Sequence, residues 1–468
     1  MTNQGKPVRR AAAVLLAFGL IACALPGSAA EPAGPEWSWG LPVYQIATRY
    51  YNEIGGFKEI EKDIPRLKSL HVGIIYLMPV HPCSQDTSRD AQMRCNNFRS
   101  VDYRGVNPAM GSLQDYKELV KALHDNGMYV IQDIVPLYMP PENNLHKLHP
   151  EWFKGEAWGM PAWDYDIPEA RQYMLESLKY WIEEVDIDGY RVDCASNGQL
   201  PELFQEIIPA LRKIKPLFML AEADGARLHP LYDMTYDWRN ARTMIVEIVQ
   251  KGGPASLIDE NIRWDLSEYP VGALRMRHLD NHDFNVGMFP GGRIPGNMDE
   301  RYGGGQKAFA VLVATLPGKW MYFMGNEINN PRLIPHAWGK EYDWLRWPPE
   351  ASDASEFTDL YTKLGAVHRY NPAGWGGSYR YLNTSNNHDL FVMERKKGNN
   401  VVFVVINFSS KQISGTIRDA LPEGDFTEAF NGATGPLSSV VNLPSWGYRV
   451  YVKDTPPPAQ SPIKSSGR

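Results

Sequence analysis

The sequence predicts an α/β chain: a (β/α)8 TIM barrel with one long inserted loop, followed by a C-terminal all-β sandwich. Three observations carry that expectation. Short apolar, strand-like runs alternate with segments of helical period between Val43 and Met324, one connecting loop is long, and near Asn371–Gly377 the pattern changes to two-residue alternation. With 468 residues, the chain has room for a barrel of roughly 250 residues or more and an appended module.

In chain order, residues 1–30 read as an export signal. Lys6, Arg9 and Arg10 precede an apolar run from Ala11 to Leu25, and small residues follow at Gly27, Ser28, Ala29 and Ala30. The run is too short to span a bilayer comfortably, and Pro26 with the polar stretch after it does not continue a helix. Ser28-Ala29-Ala30 suits ordinary signal cleavage, whereas Leu20-Ile21-Ala22-Cys23 resembles a bacterial lipobox with Cys23 as the lipidated residue. Both routes stay open. The expected product is exported, either to a bacterial periplasm or medium or as a lipoprotein held at Cys23, with no transmembrane helix after signal removal.

The barrel is expected over residues 31–370. Its strands are Val43–Ile46, Val72–Met78, Met128–Val135, Gly189–Ala195, Leu217–Ala223, Leu274–Leu279 and Trp320–Met324, with Tyr232–Tyr236 as the weakest of the eight. A doubly wound open sheet is the alternative. Ser112-x-x-Asp115 has capping-box spacing ahead of Tyr116, Leu119, Val120 and Leu123, and Pro168 stands at a first-turn position before Met174, Leu178, Trp181 and Ile182. The long loop, 136–167, is rich in Pro, Trp and His without a clear period, and long loops in compact domains tend to be functional. Residues 371–455 alternate as strands, with a Gly398-Asn399-Asn400 turn, and 456–468 form a Pro- and Ser-rich tail expected to be disordered.

Composition narrows the function. A net charge of −6 without a basic block leaves no electrostatic footprint for nucleic acid. The 14 Trp and 24 Tyr supply rings that can stack on sugars, although core packing uses the same residues. Cys83 and Cys95 could pair in an oxidising compartment, Cys194 is expected to be a free, packed thiol, and no Cys/His metal-ligand spacing appears.

Several strands end in an acid: Asp133, Asp193, Glu222, Asp283 after Asn281-His282, and Glu327 after Gly325-Asn326. A lone acid there is usually a cap. The C-terminal strand ends of a barrel converge on one face, so together these acids predict a shared site. Glycoside cleavage with retention needs an ionised carboxylate and a protonated carboxyl about 5–5.5 Å apart. Arg191, two residues before Asp193 and on the same side of the strand, would favour the charged nucleophile, while the apolar run before Glu222 would favour the neutral acid. Asp283 would support the oxocarbenium-like charge, with His282 donating to a hydroxyl.

These residues resemble the alpha-amylase superfamily, glycoside hydrolase family 13, from about Val43 to Val452. The resemblance is carried by Asp188-Gly189-Tyr190-Arg191-Val192-Asp193, by Phe218-Met219-Leu220-Ala221-Glu222 and by Arg277-His278-Leu279-Asp280-Asn281-His282-Asp283. Asp102–Pro108 and Leu316–Glu327 support it. It implies that loop 136–167 is a short domain B insertion in the (β/α)8 TIM barrel, an α-glucan oligosaccharide substrate, catalytic Asp193, Glu222 and Asp283, and substrate contacts from Arg191, His282, Phe98 and Tyr138. Departures accompany the likeness. Where the family carries Asn and His after Asp133, this chain has Leu137 and Tyr138; the Asn helps bind a calcium, and Leu offers no oxygen to a hard cation, so no cofactor and no metal are expected. Phe98 replaces a stacking Tyr, and Ser196-Asn197 stand where Lys and His are frequent. Tyr138 could block a subsite, replace the lost contact, or pack. Hydrolysis and transglycosylation share one intermediate, and a catalytically weak carbohydrate-binding homologue is the alternative from another class.

Overall fold

The computed structural model describes residues 31–290, 292–334 and 343–454. The export signal with Cys23 and the C-terminal tail lie outside the described residues. Eight parallel strands form a closed barrel: β1 (Val43–Ile46), β2 (Ile74–Leu77), β3 (Tyr129–Ile134), β4 (Gly189–Val192), β5 (Phe218–Ala221), β6 (Met234–Tyr236), β7 (Leu274–Arg277) and β8 (Lys319–Phe323). Each pairs with its neighbour in the chain, and β8 closes onto β1 through Val43–Met321 and Tyr44–Tyr322. Closure excludes the doubly wound alternative. The weakest expected strand is also the shortest of the eight, three residues inside Tyr232–Tyr236.

The two-residue period of a strand decides what fills the barrel. Val43, Ile74, Ile131, Phe218, Leu220, Met234, Leu274, Met276 and Met321 form an apolar plug. One step further along the same inward register come Gln45, Tyr76, Asp133, Arg191 and Tyr236, all buried. The plug therefore ends in a polar layer toward the C-terminal rim, where β4 and β5 run on into Asp193 and Glu222.

The helices begin where the sequence signals them. At Leu113–Asp125 both capping-box bonds are present between Ser112 and Asp115, and Tyr116, Leu119, Val120 and Leu123 face inward. Pro168–Val185 starts on its proline and buries Met174, Leu178, Trp181 and Ile182. Loop 136–167 is more ordered than its missing period suggests. It contains a short helix, Asn144–Leu148, and a hairpin of Phe153–Ala157 with Met160–Trp163.

Residues 372–376 form a short helix rather than a strand, because Asn371 caps the Ala373 N–H and Pro372 needs no donor. Beyond it lie β9 (Ser378–Tyr381), β10 (Leu390–Lys397), β11 (Asn400–Asn407), β12 (Ile413–Thr416), β13 (Asp425–Glu428), β14 (Thr434–Pro436), β15 (Val440–Leu443) and β16 (Tyr448–Lys453). They form a six-stranded antiparallel sheet in the order β9-β10-β11-β16-β13-β14, with a β12-β15 pair beside it. Val392, Phe403 and Val405 of the sheet share a core with Val441 and Leu443 of the pair. The opposite face packs on the barrel through Phe408 and Phe309, whose rings lie 4.7 Å apart. Cys83 and Cys95 form a disulfide, and Cys194 is free.

Candidate active site

Arg191 is the hub of the polar layer. Fully buried, it donates through Nη1 to Asp133 Oδ1 at 2.9 Å and to Asp193 Oδ1 at 2.6 Å, and its Nη2 lies 3.0 Å from Glu222 Oε2. Register explains the convergence: Asp133 stands opposite Arg191 across β3 and β4, and Asp193 lies two residues further on the same face. After Asp193 the backbone turns sharply, with Cys194 at φ +49°, which aims the Cys194 N–H at Glu222 Oε2, 2.8 Å away. Carboxylate oxygens of Asp193 and Glu222 come within 4.8 Å of each other.

The acids differ in environment. Burial pushes the Glu222 carboxyl well above its usual range, with Asp193 and Asp283 adding to the shift and Arg191 opposing it. Asp133 is pushed up to about 7 by burial against the pull of Arg191, and it accepts a 2.7 Å hydrogen bond from Tyr76. Burial also pushes up the Cys194 thiol, leaving little thiolate at neutral pH.

Asp283 is placed by a cap. The Asn281 side chain accepts the N–H groups of Asp283 and Phe284 at 2.9 and 2.8 Å, opening the short turn His282–Asn285. Gln45 fixes the imidazole of His282. Its Oε1 accepts the His282 N–H at 3.2 Å, so its Nε2 faces Nδ1 at 2.8 Å as a donor and leaves the proton on His282 Nε2, 3.5 Å from Asp283 Oδ2. Phe98 stacks on His282 with centroids 5.1 Å apart and lies beneath the Arg191 guanidinium at 5.7 Å. Tyr138 is buried, and that burial raises its pKa, with the charge of Asp193 adding to the shift. The seven residues expected at catalytic and substrate positions are thus brought together around Arg191 and His282.

The fifth acid goes elsewhere. Glu327 is fully buried and accepts from Tyr44 at 2.7 Å, Arg66 at 2.6 Å and the Gly325 N–H at 3.0 Å, an ion-paired scaffold rather than part of the cleft. Gln45, Tyr76 and Tyr236 were missed, because inward-facing polar residues within a strand look like ordinary core until the register is known.

A model of the alpha-amylase catalytic domain matches residues 45–152, and one of the alpha-amylase C-terminal all-beta domain matches 381–450. The chain is thus similar to the alpha-amylase family over those two stretches. A cyclomaltodextrinase from Thermoanaerobacter pseudethanolicus is 27% identical over 81% of this chain and 72% of that protein. A maltogenic alpha-amylase from Bacillus acidopullulyticus is 27% identical over 39% of the chain, which spans about a third of that protein's length (34%). The crystal structure of the maltogenic alpha-amylase AmyB from Thermotoga neapolitana superposes with a TM-score of 0.75 at 23% identity, covering 88% of this chain and 98% of that one.

Leu137 packs its hydrocarbon side chain on the core and offers no oxygen to a hard cation. The grouping of Asp193, Cys194 and Glu222 is no substitute, since the Arg191 guanidinium already holds both carboxylates.

Proposed function

We propose that the protein is an exported, retaining glycosidase that cleaves α-glucosidic linkages of maltooligosaccharides, with Asp193 as nucleophile, Glu222 as acid/base and Asp283 as stabiliser. The approach of the Asp193 and Glu222 oxygens to within 4.8 Å carries this reading. Retention uses carboxyl groups about 5–5.5 Å apart, while inversion needs roughly 6.5–9.5 Å for an intervening water. Asp193 forms a bond to the anomeric carbon as the glycosidic C–O bond breaks, and the Glu222 proton goes to the departing oxygen. Water then adds to the anomeric carbon, returning a proton to Glu222 and the electron pair to Asp193. His282 Nε2–H and Arg191 orient the sugar and the nucleophile, and Phe98 with Tyr138 walls the cleft.

The test is to incubate the enzyme with maltoheptaose and follow the first products by proton NMR. The expected reducing end is the α-anomer, appearing before mutarotation; an initial β-anomer would overturn retention. Longer oligosaccharides in the same spectra would mark transfer to sugar in place of water. Absence of turnover on maltoheptaose, sucrose, trehalose and cyclodextrins would favour a carbohydrate-binding role.

Two further proposals accompany this reading. The Cys83–Cys95 disulfide suits an oxidising compartment, in keeping with export either by signal cleavage or as a Cys23-anchored lipoprotein. No helix among the described residues is long and apolar enough to cross a membrane. With Leu137 at the calcium position, EDTA is expected to leave kcat and Tm unchanged; a fall of several degrees in Tm, reversed by calcium, would contradict a metal-free scaffold.

A further inference from the structure

The hairpin of loop 136–167 carries a residue that folding alone does not favour. Its strands pair Ala157 with Met160, so the turn consists of Trp158 and Gly159 alone. Both have positive φ, +53° and +73°. Two-residue hairpin turns with both central φ values positive prefer Asn, Asp or Gly, whose small or hydrogen-bonding side chains tolerate the left-handed region, whereas a bulky residue there is an outlier. Trp158 is also 71% exposed. Among the described residues its ring stacks on no other ring. The position thus bears two costs, a strained backbone and a large apolar ring mostly in water, and no ring stacking among the described residues offsets either.

The hairpin is built onto the wall of the cleft. Tyr138 forms an antiparallel bridge with Ala162, the Met139 N–H donates to Pro161 O at 3.0 Å, and the Trp163 N–H donates to Leu137 O at 3.3 Å. Residues 137–139 leave the C-terminal rim of the barrel beside Asp193, and the strand Met160–Trp163 runs back toward that rim. Trp158 stands four positions before Ala162, a reach of about 13 Å along an extended strand, so the indole lies within one short strand of the segment that carries Tyr138.

We propose that Trp158 is a remote stacking platform for α-glucan chains, setting a preference for longer substrates; the proposal rests on the glycosidase reading of the acid pair. A sugar ring laid on the indole would bury apolar surface that the free enzyme leaves in water. The rigid two-residue turn holds the indole ready at little entropic cost to binding.

The test compares kcat/KM for maltoheptaose and maltotriose in the native enzyme, in Trp158→Asn and in Trp158→Phe. Asn is the residue this turn prefers, so Tm should hold or rise in that variant, and any kinetic loss is not a folding defect. The ratio of maltoheptaose to maltotriose kcat/KM is expected to fall about tenfold in Trp158→Asn, mainly through KM, and to recover most of its value in Trp158→Phe, which keeps a ring. An unchanged ratio would overturn the platform, as would recovery by Asn but not Phe. If the native enzyme turned over neither oligosaccharide, the acid-pair reading would itself be wrong, a result distinct from a platform failure in an active enzyme.

Discussion

Asp193→Asn is expected to lower kcat on maltoheptaose by about 10⁴-fold or more while leaving Tm unchanged or slightly raised. The kinetic loss follows from the role proposed for this carboxylate: an amide has no anionic oxygen to form the glycosyl bond, and removing a nucleophile typically costs on the order of 10⁴ to 10⁶ in rate. The stability forecast comes from the charge balance around Arg191. One guanidinium faces Asp133, Asp193 and Glu222, with Asp283 close enough to raise the Glu222 pKa, so the acids repel one another in a buried layer. Asp193 itself contributes to pushing Asp133 up to about 7. Neutralising Asp193 relieves that repulsion, and Arg191 keeps Asp133 at 2.9 Å and Glu222 at 3.0 Å. Active sites often trade stability for function in this way. Kinetics with calorimetry on the same preparation would check both halves. Retention of more than about a hundredth of native activity would remove Asp193 from the nucleophile role. A large fall in Tm would make it a structural residue instead.

The fold was legible in the sequence wherever burial imposes a strong pattern. Barrel strands buried on both faces read as apolar runs, and Ser112 and Pro168 mark helix starts by their own chemistry. In the C-terminal module, β10, β11 and β16 announce themselves, whereas β12 to β15 are short and half exposed, with an alternation too brief to stand out. The hairpin in loop 136–167 was hidden for a related reason. Its first strand is largely exposed, and Trp158-Gly159 replaces the Asn-Gly that would have signalled the turn.

The candidate site was legible in its acids, in Arg191 and His282 beside them and, through the family resemblance, in Phe98 and Tyr138. A strand-end carboxylate is visible in one dimension, but its destination depends on which face the strand presents. Asp133, Asp193 and Glu222 turn inward to Arg191. Glu327 follows Gly325, whose φ of +96° bends the chain, and it joins Arg66 and Tyr44. The hold of Gln45 on His282 joins residues 237 positions apart, and no local pattern encodes such a pair.

Glu222→Gln should separate the two halves of the proposed chemistry by leaving group. On maltoheptaose the departing oxygen needs a proton, so kcat is expected to fall roughly 10²- to 10⁴-fold, the usual contribution of a positioned general acid. On α-maltosyl fluoride the leaving group departs as a stable anion without protonation, so the first step should stay near its native rate. Water must then attack the glycosyl-enzyme without a general base, and fluoride should appear as a burst stoichiometric with enzyme, followed by slow turnover. The pH dependence adds a second readout. The burial that lifts the Glu222 pKa extends the pH range over which the acid stays protonated, and activity is lost as pH rises through the folded-state value, because the ionised form has no proton to give. The amide that replaces this carboxyl does not titrate, so the alkaline limb of kcat/KM should vanish in the variant while the acid limb, set by the need for an ionised nucleophile, persists. Equal losses on maltoheptaose and the fluoride would mean that Glu222 positions Arg191 and the Cys194 turn instead of transferring a proton. A surviving alkaline limb would assign that titration to another group around the same guanidinium, with the buried Asp133 next in line.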